Sequence, residues 1–260
     1  MPKFSANLSM LFTEYEFLER FAAAARAGFS GVEYVGPYDH HAENIAELLH
    51  ENQLSQVLFN LPAGNWAAGE RGIACFPDRV GEFQDGVGRA IDYAKQLKNP
   101  IVNCLAGIKP SYVSRETAWQ TLVSNLRFAA AELKKIDVTL IVEPINSFDM
   151  PGFFLNRSQE ALSAIDAAGG EARLQYDIYH MQRMEGELAE SITRLMSRIG
   201  HFQVAGNPGR TEPDRGEINY DFLFKLIDSL GYAGWIGAEY RPVAGTEAGL
   251  GWLKKMATTQ

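Results

Sequence analysis

Cysteine is scarce in this chain. Among 260 residues there are two cysteines, Cys75 and Cys104, which form no Cys-x-x-Cys pair. Neither a disulfide framework nor a thiolate metal site fits, and a reduced compartment is expected. Basic charge is also in deficit. Lys and Arg number 24 against 32 Asp and Glu, a net charge of −8, whereas proteins that hold nucleic acid usually show a basic face. Nucleic acid is therefore set aside as a partner. No stretch approaches about 18 uninterrupted apolar residues. The opening Met-Pro-Lys-Phe-Ser-Ala-Asn lacks a charged segment followed by an apolar one. The expectation is a soluble, cytoplasmic protein without a membrane segment. With 46% hydrophobic and 11% aromatic residues, the composition is globular, not disordered.

The hydrophobic period changes repeatedly along the chain. Short β-rich runs at 4–9, 31–36, 55–60, 100–105, 138–143, 173–177, 199–205 and 234–239 read as strands. Between them, apolar residues three and four apart predict helices at 14–27, 42–52, 77–97, 114–135, 158–168, 186–197, 219–230 and 245–256. Thr13 and Ser158 are expected helix caps, and Gly28 and Gly231 expected stops. Dividing 260 by eight units gives 32.5 residues each, the size of one repeat in a (β/α)8 barrel. A doubly wound sheet would carry a Gly-rich turn after its first strand, and none follows Leu8. The predicted architecture is α/β, one TIM barrel domain over 1–260. The long connection Leu61–Pro77 is expected to act as a lid over the mouth.

In such a barrel, chemistry sits where the strands end. Strands one to four end near Asn7, Glu33, Asn60 and Asn103, and strands five to eight at Glu143, Asp177, Gln203 and Glu239. Three carboxylates on one rim repel in a partly dry pocket unless a cation sits among them. The second set therefore predicts a divalent metal site. Oxygen donors without thiolate point to Mg²⁺ or Mn²⁺ before zinc. His180 follows Asp177 by three residues and is expected to touch substrate or to brace the ligands.

These residues lie in stretches that resemble a known family. NLPAGNWAAGERGIACFP, VEPINSFDMPGFFL, QYDIYHMQRMEGEL and GRTEPDRGEINYDFLF are similar to the hydroxypyruvate isomerase family, a branch of the xylose-isomerase-like barrels, and the likeness runs from FSANLSMLF to EAGLGW. The resemblance implies an aldose–ketose type isomerase converting hydroxypyruvate to tartronate semialdehyde. It assigns Glu143 and Glu239 as acid/base residues, and Glu143, Asp177, Gln203 and Glu239 as metal ligands. Gln203 departs from the His found in much of the wider superfamily, which argues against tightly held zinc and against the His-rich DNA-repair endonucleases sharing this barrel.

A small anionic hydroxy-oxo acid needs a cation to meet it. Arg210 and Arg215 after strand seven, or Arg71 in the long connection, are the candidates, with Trp66 as the aromatic contact. Glu217 is expected to cap the next helix or brace an arginine. His40 and His41 edge the mouth at most, His201 is read as a packed barrel residue, and a homo-oligomer is the default assembly. A 2-oxo-tetronate isomerase, a ketose 3-epimerase, an inosose-dehydratase-like lyase and a catalytically silent binding barrel are the alternatives.

Overall fold

Eight short strands pair side by side, all parallel, and close on themselves in the order β1 to β8. The computed structural model describes residues 2–258. The strands are β1 (Lys3–Asn7), β2 (Gly31–Tyr34), β3 (Ser55–Asn60), β4 (Ile101–Cys104), β5 (Thr139–Val142), β6 (Arg173–Asp177), β7 (Ile199–Val204) and β8 (Trp235–Ala238). Closure is made by β1 on β8, with Phe4 opposite Ile236. The helices are α1 (Arg20–Arg26), α2 (Ala42–Glu51), α3 (Val80–Leu97), α4 (Arg115–Lys134), α5 (Ser158–Ala167), α6 (Ile178–Met184), α7 (Leu188–Leu195), α8 (Tyr220–Ser229) and α9 (Gly251–Thr258). The expected barrel is thus present. Among the described residues, no helix is long and apolar enough to cross a membrane.

Strand periodicity explains how the barrel separates its contents. Successive side chains point to opposite faces, so Phe4, Val32, Val102, Val142, Tyr176, Phe202 and Ile236 join the apolar core cluster that includes the buried helix residues. The alternate residues point inward. A small second cluster of Val57, Leu58 and Ile141, with Ile101 and Trp235 against it, forms an apolar floor. Above that floor the inward positions turn polar: Ser5 and Asn7, Glu33, Asn103, Gln175 and Asp177, and His201 and Gln203 are all buried.

Several expected boundaries move. Helix one was expected from residue 14 with Thr13 as cap. Instead a single 3-10 turn covers Phe17–Glu19 before α1, and Glu16 occupies the cap position, its N–H donating to Glu19 Oε2 at 3.3 Å. Ser158 is not the cap of α5. It is the first helical residue, and its N–H and Oγ both donate to Glu185. Helix α6 was not expected at all: at seven residues it is too short to show a period, and Asp177 nucleates it by accepting the N–H groups of Tyr179 and His180. The last helix was expected from 245. One 3-10 turn at Glu247–Gly249 precedes α9 instead. Gly28 and Gly231 do stop their helices, both with positive φ.

The long connection after β3 is tied down. Leu61 N–H donates to Asn103 O at 2.8 Å and Cys75 N–H to Ala106 O at 3.0 Å. Gly72 has φ +103°, and a Cβ there would lie 2.3 Å from Leu105 O, so only glycine permits this approach.

Candidate active site

The four expected donors do converge on one end of the barrel. Glu143 follows β5 directly, Asp177 ends β6, Gln203 is the penultimate residue of β7 and Glu239 follows β8. Glu143, Asp177 and Gln203 are buried and Glu239 is nearly so. Arg210, on the turn after β7, reaches across them. Its Nη2 donates to Glu239 Oε1 at 2.6 Å and lies 3.6 Å from Asp177 Oδ2, while its guanidinium sits 5.4 Å from the Tyr179 ring centre. The backbone of Arg210 is left-handed, φ 54°, and its carbonyl accepts the N–H of Arg241 at 2.8 Å, which fixes the turn that aims the side chain.

His180 closes the other side. Its Nε2 lies 3.5 Å from Asp177 Oδ2 and 3.8 Å from Glu143 Oε1. Glu143, Asp177 and His180 present ligand atoms all within 4.8 Å of one another. Asn103 Nδ2 donates to Glu143 Oε2 at 3.2 Å, and Asn7 Nδ2 to Glu239 Oε2 at 2.9 Å. The asparagines at the ends of β1 and β4 therefore hold the two glutamates in place.

Beneath this ring lies a carboxylate that sequence reasoning left at a strand end without a role. Glu33, on β2, is fully buried and takes four donors: Ser5 Oγ at 2.7 Å, His201 Nε2 at 2.9 Å, Gln203 Nε2 at 2.8 Å and Asn7 Nδ2 at 3.3 Å. Gln203 Nε2 also donates to Glu239, and Gln203 Oε1 accepts from Gln175 Nε2 at 2.5 Å. Room for Glu33 comes from Gly237 on β8, where a Cβ would stand 2.2 Å from Glu33 Oε1. Burial alone would raise the Glu33 carboxyl, but the His201 ring and the hydrogen bonds hold it below its ordinary value.

The upper carboxylates are shifted the opposite way. Burial pushes Glu143 well above the carboxylate range, with Glu239 and Asp177 adding to the effect. Burial also raises Glu239, to about 7, against the pull of Arg210 and with the help of Asp177 and Glu33. Asp177 is raised by burial despite Arg210 and its two backbone donors. One arginine is thus insufficient for three acids, and the site is short of positive charge. Asp177 Oδ2 is a buried oxygen that accepts no hydrogen bond from the described residues. An unsatisfied acceptor among oxygen donors whose protons are retained by mutual repulsion suits a divalent cation.

Not every expected residue arrives at the mouth. Arg215 pairs with Glu212 at 3.4 Å and its side chain is 56% exposed. Arg71 stacks on Trp66 at 4.0 Å and donates to the carbonyls of Trp66 and Glu70, so both belong to the loop's own fastening and neither contacts the carboxylates. Glu217 neither caps α8 nor braces an arginine. Asn219 caps that helix, and Glu217 accepts from Gln182 and Asn207. His40 stacks on Phe17, and His201, read as a packed barrel residue, is indeed fully buried, against Glu33. Sequence reasoning missed Asn146 and Tyr179, which have no strand-end position to betray them.

Comparison with known proteins gives the family. A family profile described as "Xylose isomerase-like TIM barrel" matches residues 21–256. The chain belongs to the xylose isomerase-like TIM barrel family and, within it, to the isomerases. It is 56% identical over 254 residues to "Hydroxypyruvate isomerase" of Escherichia coli (strain K12), covering 97% of this chain and 98% of that protein. It is 48% identical to "2-oxo-tetronate isomerase" of Cupriavidus necator, covering 98% of each. A solved structure described as an AP endonuclease, family 2, from Brucella melitensis is 43% identical, with a TM-score of 0.96 over 98% of this chain and 99% of that one.

Proposed function

We propose that this barrel interconverts hydroxypyruvate and tartronate semialdehyde, using Glu143 and Glu239 as the proton-transferring pair. The observation that carries the proposal is the pair itself: a buried Glu143 and a nearly buried Glu239, both with raised pKa and gathered with Asp177 at the barrel mouth, in a chain 56% identical to a protein named for that reaction. Glu143, Asp177 and Glu239 are the residues that would hold a divalent ion, joined by Gln203 if its amide turns its oxygen from Gln175 toward them, with Mg²⁺ or Mn²⁺ fitting the oxygen donors best. When bound, such an ion supplies Lewis-acid stabilisation of negative charge on substrate oxygens.

The chain's own residues account for the proton movements. One glutamate in its ionised form takes a proton from C3 of hydroxypyruvate, and the electron pair moves toward the C2 carbonyl oxygen to give an enediolate. The other glutamate, protonated, delivers a proton to C2, while the C3 hydroxyl proton passes to the C2 oxygen, leaving an aldehyde at C3 and a hydroxyl at C2. A carboxyl held near pH 7, as Glu239 is, serves either role at neutral pH. Arg210 is the cation placed to meet the substrate carboxylate: it remains charged among Glu239, Asp177 and Glu143, and its Nε has no partner among the described residues.

The test is a comparison of kcat/KM for hydroxypyruvate and 2-oxo-tetronate with Mg²⁺ or Mn²⁺ supplied. Hydroxypyruvate is expected to be preferred, with product mass unchanged. Preference for 2-oxo-tetronate would move the assignment to the second relative's reaction, and loss of water would replace isomerisation by dehydration.

A further inference from the structure

The ring nitrogens of His180 are not equivalent, and the residues around them decide which carries the proton. Asn146 is fully buried three residues after Glu143. Its Oδ1 accepts the backbone N–H groups of Phe148 at 3.1 Å and Asp149 at 2.9 Å, which settles the amide orientation. Nδ2 must then face the other way. It donates to Asp149 Oδ2 at 3.1 Å and stands 2.6 Å from His180 Nδ1. Asp149 is itself held by Tyr179 OH at 2.8 Å and by Arg183, so it cannot turn to release the amide. An amide nitrogen has hydrogens and no usable lone pair, so His180 Nδ1 can only accept.

We infer that Asn146 locks His180 as the Nε2–H tautomer, making it a hydrogen-bond donor into the carboxylate ring and not a metal ligand. The inference rests on the isomerase reading for its chemistry, although the lock itself does not. Distance alone places His180 with Glu143 and Asp177 as a ligand set, but ligation through Nε2 would need the proton on Nδ1, against the Asn146 amide. With Nδ1 accepting from the amide, the ring carries its proton on Nε2. As a donor, the Nε2–H is aimed at an oxygen seated between Glu143 and Asp177. It stabilises charge developing there, and Asn146 acts through it as a positioning residue.

The experiment is long-range ¹H–¹⁵N correlation NMR on protein labelled with ring-¹⁵N histidine, without metal and with Mg²⁺ or Zn²⁺ alone. The chain has five histidines, and His180→Gln identifies the signal. The expected signature is a protonated Nε2 and a bare Nδ1 in all three states. In Asn146→Asp, a carboxylate replaces the amide donor and draws the proton to Nδ1. That variant should show the inverted signature, tighter Zn²⁺ binding by calorimetry, and a kcat lowered by roughly tenfold to a hundredfold, the scale of one charge-assisted hydrogen bond, with KM little changed. A wild-type ring protonated at Nδ1, or one whose proton moves there when metal is added, overturns the inference. So does an Asn146→Asp variant that loses kcat while keeping Nε2–H. Absence of isomerase turnover beside an Nε2–H signature would refute the reaction and leave the donor assignment standing.

Discussion

Replacing Glu33 by leucine probes the layer beneath the active site, which braces Gln203 and, through Asn7, Glu239. The wild-type carboxylate satisfies Ser5, Asn7, His201 and Gln203 at once, in complete burial. Leucine fills a similar volume but accepts nothing, leaving four buried donors facing an apolar group. A buried donor left unsatisfied costs about 1 to 3 kcal/mol, so removing the acceptor shared by four, with partial relaxation, should cost about 3 to 5 kcal/mol. For a chain of this length, that lowers Tm by about 6 to 20 °C. Glu33→Gln should cost less. The amide nitrogen can face His201 if that ring moves its proton to Nδ1, and Nδ1 has no partner among the described residues to oppose the change.

The assay is thermal unfolding by circular dichroism in EDTA, repeated as a function of pH. Because the native pKa of Glu33 lies below the ordinary 4.5, its contribution is fully present above that value and is lost as pH falls through the lowered native pKa. The Tm gap between wild type and Glu33→Leu should therefore be widest near neutrality and narrow in acid. A Tm for Glu33→Leu within about 2 °C of wild type at neutral pH, less than 1 kcal/mol on this scale, would refute the reasoning. A Glu33→Gln variant less stable than Glu33→Leu would do the same.

Gly237→Ala should destabilise by about 1 to 3 kcal/mol, because the new methyl meets the Glu33 carboxyl 2.2 Å away; an unchanged Tm contradicts this. Glu143→Gln and Glu239→Gln should each lower kcat by about a hundredfold or more with the fold retained, and full turnover in either would falsify its role. In EDTA the raised Glu239 carboxyl holds a proton in the native state that the unfolded chain releases, so its contribution to stability falls as pH rises from 4.5 to about 7. Wild type should accordingly lose Tm relative to Glu239→Gln across that window, and a gain would reverse the sign of the argument. Arg215→Ala should lower stability by more than the roughly 1 kcal/mol of a surface pair, because its partner Glu212 is only 1% exposed and is left as a buried carboxylate without its cation, and should leave kcat intact; an unchanged Tm contradicts this.

Much of this arrangement was legible because a barrel ties function to strand ends. The alternation of short β-rich runs with longer helical stretches yields eight repeats, and the repeats alone nominate Glu143, Asp177, Gln203 and Glu239. His180 was legible for a simpler reason, its three-residue spacing from Asp177 on what proves to be the first turn of α6. Other features were hidden because they depend on contacts distant in sequence. Glu33 and His201 meet across 168 positions, and no period or motif marks their pairing. Arg71, Arg210 and Arg215 look alike in sequence. Only the left-handed turn at Arg210 and the stacking of Arg71 on Trp66 separate the arginine that reaches the carboxylates from those that do not. Asn146 was overlooked because it sits in a loop, where its value lies in the direction of one amide.

The most direct test of the central claim is proton exchange in D₂O. Wild-type protein with Mg²⁺ or Mn²⁺ and hydroxypyruvate should yield tartronate semialdehyde carrying deuterium at C2, and Glu143→Gln and Glu239→Gln should suppress that incorporation. Product formed by the wild type without deuterium at C2, or equal incorporation in the two variants, would contradict an enediolate route served by this glutamate pair.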